Sequence, residues 1–105
     1  SMKGLLAGWR YEASFRLEAG MAVVLVPLGL WLGQGPLEKL ALAVPVILVL
    51  AVELLNSAIE TVVDKVSPEF HELAGRAKDL GSAAVFLLLL VMGLSWALIL
   101  GPRWF

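Results

Sequence analysis

The feature that most constrains this chain is a long apolar run near its C-terminus. Residues 80–100 are 21 positions without a charge, and only Ser82 and Ser95 among them carry a polar side chain. Because a helix needs about 20 apolar residues to cross the hydrocarbon core of a bilayer, this run predicts a transmembrane helix. The rest of the chain must then suit a membrane as well.

Two earlier segments fit the same environment. Residues 19–33 carry no charge, and residues 40–63 are apolar except at Glu53, Asn56, Ser57, Glu60 and Thr61. The whole chain is 60% hydrophobic and 16% charged, whereas soluble domains contain roughly 25% charged residues. We predict membrane spans at approximately 17–33, 40–63 and 80–100, with a tight turn over residues 33–36.

The flanking residues predict further helical segments. Before the first span, apolar residues recur near helical spacing, which indicates an amphipathic interfacial segment containing Leu5, Leu6, Trp9, Ala13 and Leu17. Ser67 is typical of an N-cap, with Pro68 as the first helical residue and Glu69 in the first turn. A helix that begins there would pair Glu72 with Arg76. The predicted fold is one all-α integral membrane domain, residues 1–105, with three transmembrane helices and this N-terminal segment.

The basic residues predict an orientation. Six of the eight Lys and Arg residues precede the first span or lie between the second and third spans, and the other two are Lys39 and Arg103. Cytoplasmic loops of membrane proteins carry an excess of Lys and Arg. The N-terminus and the second loop are therefore predicted to lie in the cytoplasm.

The composition excludes several classes of function. The absence of cysteine excludes disulfides, thiolate metal sites and a cysteine nucleophile. His71 is the single histidine, which excludes a metal centre built from several histidines. The net charge of −1 argues against a nucleic-acid partner, which would require a basic face.

The second span carries a stripe of polar residues. Glu53, Asn56, Ser57, Glu60 and Asp64 lie at offsets of 0, 3, 4, 7 and 11 residues, so they share one helix face about 100° wide. An ionisable residue inside a membrane helix costs about 2.5–3.5 kcal/mol on insertion scales. The stripe could pair with basic residues of neighbouring helices and only specify assembly. Its length of three turns favours a function.

Clustered carboxylates at a membrane edge suit two chemical tasks. They hold Mg²⁺, which prefers oxygen ligands and shares them with phosphates, and they accept a proton from a hydroxyl group. Together these tasks are the requirements of phosphoryl transfer, with Lys78 or Arg76 able to offset phosphate charge. The phosphate-binding loop pattern is absent from the sequence. The residues alone predict an acidic site facing the cytoplasm and suited to a metal.

Three segments then resemble a known family. Residues 53–64 are ELLNSAIETVVD, residues 71–85 are HELAGRAKDLGSAAV, and residues 12–18 are EASFRLE. In this order and spacing they resemble the prokaryotic diacylglycerol kinase family over nearly the whole chain. The GRAKDLGS segment is more similar to the proteobacterial diacylglycerol branch than to the Gram-positive undecaprenol kinase branch.

The resemblance implies an enzyme of the bacterial inner membrane that transfers the γ-phosphate of MgATP to diacylglycerol and gives phosphatidate. It implies a homotrimer with active sites shared between subunits. It also implies roles for single residues: Glu53 as the general base, and Glu12 and Glu60 as ligands of Mg²⁺. The implied nucleotide contacts are Glu12, Glu60, Glu69, Phe70, His71, Lys78 and Asp79. The implied lipid contacts are Ser14, Phe15, Arg16, Leu17, Glu18, Glu53, Asn56 and Ser82.

Simpler interpretations stand beside these roles. Without the resemblance, Glu12 and Arg16 would be a surface pair four residues apart, and His71 a solvated loop residue. Lys78 at a membrane edge would only extend its ammonium group into water. Two other function classes also fit an acidic membrane helix, namely a small proton-coupled transporter and a purely structural assembly subunit.

Overall fold

Four helices account for most of the chain in the computed structural model, which describes residues 1–69 and 71–105. They are α1 (Met2–Tyr11), α2 (Ala13–Leu32), α3 (Pro36–Val66) and α4 (Glu72–Trp104). The four helices form an elongated body of 50 × 28 × 18 Å, in which α3 packs against both α2 and α4. The all-α prediction is confirmed, and α2, α3 and α4 are each long and apolar enough to cross a membrane.

The two longest helices exceed what a bilayer requires. With 31 and 33 residues, α3 and α4 extend about 46–50 Å at 1.5 Å per residue, whereas the hydrocarbon core is about 30 Å thick. Part of each helix must therefore lie outside the hydrocarbon. Much of the apolar surface is exposed, including Leu80, Phe86 and Leu98 on α4. Such a surface suits lipid or other membrane helices rather than water.

The predicted turn between the first two spans is confirmed. α2 ends at Leu32 and α3 begins at Pro36, the first helical position that proline favours. Gly35 has a φ of 85°, a backbone angle that residues other than glycine adopt only with strain. The turn lets α3 return antiparallel beside α2, so the C-terminal part of α3 lies beside the N-terminal part of α2.

The packing near this turn is tight because Gly29 of α2 faces α3 and α4. A Cβ atom at Gly29 would lie 2.9 Å from the Cβ of Leu42 and 3.3 Å from Cζ2 of Trp96. Leu42 is completely buried. The indole nitrogen of Trp96 donates a 2.9 Å hydrogen bond to the Leu42 carbonyl, which satisfies the one polar atom of this large side chain.

An ion pair closes the same end of the bundle, hereafter the turn end. Arg103, near the end of α4, pairs with Glu38 in the first turn of α3. The same guanidinium donates a 3.2 Å hydrogen bond to the Leu32 carbonyl at the end of α2. Glu38 also accepts a 2.9 Å hydrogen bond from the backbone N–H of Gln34. One arginine thus joins the ends of all three long helices.

The predicted start of the last helix is wrong. α4 begins at Glu72, and its N-cap is His71, whose Nδ1 accepts a 3.1 Å hydrogen bond from the N–H of Leu73. Ser67 instead caps the C-terminus of α3, and its hydroxyl donates to the Glu69 carbonyl at 3.1 Å. The histidine competes successfully because its ring nitrogen reaches the second backbone N–H, as a serine oxygen does at other N-caps.

Candidate functional site

The polar stripe of α3 runs from the interior of the bundle to its surface. Glu53, Asn56 and Ser57 are buried, with 7%, 7% and 8% of their surfaces exposed. Glu60 is half-buried and Asp64 is exposed. The predicted single face is thus observed, and it lies at the end of the bundle opposite the turn end. We call this region, with Glu12 and Glu18 beside it, the acidic end.

Asn56 organises the middle of the stripe. Its side-chain nitrogen donates a 3.1 Å hydrogen bond to Oε1 of Glu60, one turn further along α3. Its side-chain oxygen is buried against Gly81 of α4 and has no hydrogen-bond partner among the described residues. A Cβ atom at Gly81 would overlap that oxygen, so only glycine lets α4 approach here. Asn56 therefore fixes one carboxylate and keeps a free acceptor beside it.

Glu18 carries the second buried polar atom that lacks a partner among the described residues. One of its carboxylate oxygens is buried and accepts no hydrogen bond from the described residues. Glu18 of α2 lies near enough to Glu53 of α3 for their charges to interact. The charges of Glu60 and Glu12 also act on Glu53. The carboxylates of Glu12, Glu18 and Glu60 therefore all lie near enough to Glu53 for their charges to interact with it.

Buried polar atoms in folded proteins nearly always have partners, so the two exceptions call for an explanation. Leaving such an atom unpaired typically costs about 1–3 kcal/mol. Packing gains nothing from the arrangement at the acidic end. A bound polar group that supplies the missing hydrogen bonds would account for it.

Glu12 lies at the joint between α1 and α2, beside the acidic end. It is the one residue between the two helices, with extended backbone angles of −119° and 106°. A groove of about 420 Å³ runs beside it between α1 and α3, lined by small and apolar residues that include Gly8, Leu54 and Ala58. Within the described residues, no three acidic or histidine side chains converge as a metal site.

The oxygen donors present still fit Mg²⁺. This ion usually takes one or two protein carboxylates and completes its shell with phosphate oxygens and water. Glu12 and Glu60 are half-buried carboxylates at the same end of the bundle. Two such side chains are enough for an ion that arrives with a nucleotide, because the phosphates bring further oxygen ligands.

Apart from Glu12 and Glu60, the residues expected near the nucleotide belong to the α3–α4 connection and the start of α4. Lys78 forms a 2.6 Å ion pair with Asp64, in which the Lys78 side chain is half-buried and the Asp64 side chain is exposed. Asp79, Glu69 and His71 are exposed as well. Phe70 lies outside the described residues. The sequence predictions did not include the partner of Lys78, although Asp64 belonged to the polar stripe.

The residues expected near the lipid are divided between surface and interior. Ser14, Leu17 and Ser82 are exposed, whereas Phe15 is buried with 5% of its surface accessible. Arg16 is exposed, but its guanidinium donates hydrogen bonds to two backbone carbonyls of α1. Glu72 and Arg76 form the predicted pair at 3.9 Å on the surface, away from the buried carboxylates. Gly81 was missed as a site residue because only its contact with Asn56 reveals its role.

Comparison of the sequence with known proteins places the chain in a family. A model of the family "Prokaryotic diacylglycerol kinase" matches residues 1–100. The chain is 48% identical to a diacylglycerol kinase of Haemophilus influenzae over 100 residues, which cover 95% of this chain and 85% of the relative. It is 46% identical to the diacylglycerol kinase of Escherichia coli K12 and 47% identical to that of Pseudomonas aeruginosa, with 95% of this chain covered in both. The matched regions cover 82% and 81% of the lengths of these two relatives. The chain therefore belongs to the prokaryotic diacylglycerol kinase family, and it is a multi-pass membrane enzyme that acts as a lipid kinase.

Proposed function

We propose that this kinase transfers the γ-phosphate of MgATP to the free hydroxyl of diacylglycerol and yields phosphatidate and ADP. The observation that carries the proposal is Glu53, a buried carboxylate placed among polar side chains at one end of a membrane-sized helix bundle. A lipid hydroxyl at the boundary between headgroups and hydrocarbon can reach such a depth, whereas a charged nucleotide would stay nearer the surface.

In the proposed reaction, Glu53 accepts the proton of the lipid hydroxyl as its oxygen attacks the γ-phosphorus. The new oxygen–phosphorus bond forms while the bond to the β,γ-bridging oxygen breaks, and ADP leaves with that oxygen. Glu53 then releases its proton to water. Positioned general bases of this kind typically contribute about 10²–10⁴-fold to the rate.

The other polar residues would hold the phosphoryl donor. Glu12 and Glu60 are proposed as the ligands of Mg²⁺, with Asn56 orienting Glu60 through the hydrogen bond described above. When bound, the ion offsets negative charge on the phosphates. Lys78 would exchange Asp64 for a phosphate oxygen, which costs little because exposed ion pairs contribute only about 0–1 kcal/mol. The remaining proposed nucleotide contacts are Glu69, Phe70, His71 and Asp79.

The groove between α1 and α3 supports a lipid as the acceptor. Its lining is mostly apolar, it opens beside Glu12, and Ser57 of the polar stripe contributes to its wall. An acyl chain could occupy this groove while the glycerol hydroxyl approaches the carboxylates. Ser14–Glu18 and Ser82 are the further lipid contacts that we propose from the family resemblance.

We also propose a homotrimer in the bacterial inner membrane, with the acidic end facing the cytoplasm, where MgATP is present. The exposed apolar surface of α4 supports packing against lipid or other subunits. Single cysteines at Gln34 and Ser67 test the orientation, because the chain has no other cysteine. An impermeant reagent added outside intact cells should label position 34 only. Labelling of position 67 would contradict the orientation.

Phosphate transfer by the purified protein tests the reaction itself. With MgATP and a panel of diacylglycerol and undecaprenol, we expect phosphatidate as the main product. Preference for undecaprenol would make the protein an undecaprenol kinase. Proton flux without ATP turnover would instead indicate a transporter, and absence of both activities together with an unaffected Glu53→Gln assembly would favour a structural subunit.

A further inference from the structure

The corner between α1 and α2 is held by an unusual hydrogen-bonded clamp. Arg16, in the first turn of α2, directs its side chain back across the joint to the last turn of α1. Its Nη1 atom donates to the Trp9 carbonyl at 2.8 Å and to the Arg10 carbonyl at 3.3 Å. The last carbonyls of a helix have no partner within the helix, and arginine side chains are suitable donors to them.

The backbone of Glu12 is fixed from both sides of this corner. Its N–H donates to the Gly8 carbonyl at 3.0 Å, and its carbonyl accepts the N–H of Arg16 at 3.1 Å. The joint therefore consists of one extended residue between two helix ends. Rotation about that residue would swing α1 away from α2, and the hydrogen bonds of the Arg16 side chain resist such a rotation.

Close packing sets the angle that the clamp then holds. A Cβ atom at Gly8 would lie 2.7 Å from Cδ2 of Leu54 and 3.0 Å from Cδ2 of Phe15. Because Phe15 is buried and Leu54 belongs to α3, α1 rests on both neighbouring helices at this point. The position of α1 decides where the Glu12 carboxylate stands relative to the polar stripe of α3.

We propose that Arg16 is a positioning residue, which clamps the α1–α2 corner and thereby holds Glu12 where it binds the metal of the phosphoryl donor. This inference rests on the proposed function, in which Glu12 is a ligand of Mg²⁺. It assigns Arg16 a role through the protein backbone, in addition to the lipid contact that the family resemblance implies. Outer partners of metal ligands typically contribute 10–100-fold to metal affinity.

The test compares Arg16→Gln, Arg16→Lys and the control Arg10→Gln, which removes a neighbouring positive charge of α1 but leaves the clamp. In Arg16→Gln we expect the Mg²⁺ concentration for half-maximal phosphate transfer to rise roughly tenfold or more, a larger change than any in the KM for diacylglycerol. Arg16→Lys should rescue only part of the effect, because the lysine side chain is one bond shorter and its ammonium group reaches the two carbonyls less well than Nη1 does. Arg10→Gln should leave the Mg²⁺ requirement unchanged.

A double-mutant cycle separates the clamp from a direct contact with the lipid. If Arg16 acts through Glu12, Arg16→Gln should change the Mg²⁺ requirement of a Glu12→Gln enzyme less than twofold. Independent, multiplicative effects of the two substitutions would overturn the proposal. A raised KM for diacylglycerol with an unchanged Mg²⁺ requirement would overturn it as well.

Hydrogen exchange of the backbone gives a readout that needs no activity. The amides of residues 9–13 should exchange faster in Arg16→Gln than in the parent protein, and no faster in Arg10→Gln. Unchanged exchange at the corner would contradict the clamp even if activity falls. A protein that transfers no phosphate to any lipid would refute the proposed function, while the exchange data would still decide whether the clamp exists.

Discussion

The two ends of this helix bundle differ in whether their polar groups have hydrogen-bond partners within the protein. At the turn end, Arg103 joins Glu38 and the Leu32 carbonyl, and the indole of Trp96 reaches the Leu42 carbonyl. At the acidic end, buried oxygens of Glu18 and Asn56 have no partner among the described residues. The first arrangement satisfies its hydrogen bonds within the protein, and the second leaves two buried oxygens without a hydrogen-bond donor from the described residues.

The contrast indicates where stability and chemistry are located. A membrane protein with unpaired polar groups at one end must be stabilised elsewhere, because each such group weakens folding. Tight packing around Leu42 and the ion pair of Arg103 provide that stabilisation far from the carboxylates. Substitutions at the turn end should therefore reduce stability more than turnover, and substitutions at the acidic end should do the reverse.

The largest expected effect is on turnover. Glu53→Gln keeps the size and one oxygen of the side chain but cannot accept a proton, so kcat should fall by about 10²–10⁴-fold. Thermal stability should stay the same or rise, because a buried charge is removed. The matched control is Glu38→Gln, which removes a carboxylate from the turn end and should keep normal kcat. Near-normal turnover of Glu53→Gln would show that Glu53 is not the general base.

The next effect concerns the requirement for Mg²⁺. Glu12→Gln and Glu60→Gln each replace a charged oxygen ligand with a neutral one, and we expect the Mg²⁺ concentration for half-maximal activity to rise at least roughly tenfold. Titration of activity with Mg²⁺ at fixed ATP measures this change. If both variants keep the parent Mg²⁺ dependence, neither residue belongs to the metal site.

A smaller loss of activity is expected where α4 approaches the polar stripe. In Gly81→Ala the added methyl group overlaps the side-chain oxygen of Asn56, so Asn56 must move and release Glu60. We expect kcat to fall by about tenfold, the scale of a lost outer partner of a metal ligand. Gly93→Ala is the control, because a Cβ atom there meets nothing within 4 Å. Equal activity of the two variants would contradict the role of this contact.

At the turn end the same type of substitution should change stability instead. Gly29→Ala places a methyl group against Leu42 and Trp96, and overpacking of this kind typically costs about 1–3 kcal/mol. Gly20→Ala on the same helix meets open space and should not destabilise the protein. Unfolding in detergent micelles measures both, and folded Gly29→Ala protein should retain its kcat.

The smallest effect is expected for the ion pair of the turn end. Glu38→Gln removes the charge that Arg103 faces but leaves an oxygen that can accept its hydrogen bonds. The apparent unfolding temperature should drop by less than in Gly29→Ala, with no change in the Mg²⁺ requirement. A loss of activity without a loss of stability would break the proposed division between the two ends.

Much of the fold was predictable because its causes are local. The apolar runs and the turn at residues 33–36 predicted three spans. The i, i+4 spacing predicted the Glu72–Arg76 pair, and the helical repeat predicted the single face of Glu53 and Glu60. These features depend on composition and on the helical repeat. The start of α4 was predicted wrongly because Ser67 and Pro68 carry the usual N-cap signals, and a histidine is a less common cap.

By itself, the sequence determined that this chain is helical, suited to a membrane, and acidic along one face of its second span. Only the tertiary structure decided which of those polar groups are buried and which have partners. Trp96 and Leu42 are 54 residues apart, and Arg103 and Leu32 are 71 apart. No local pattern specifies such pairs, because they depend on the distances and angles at which the helices pack. The unpaired oxygens of Glu18 and Asn56 likewise follow from what the neighbouring helices place beside them.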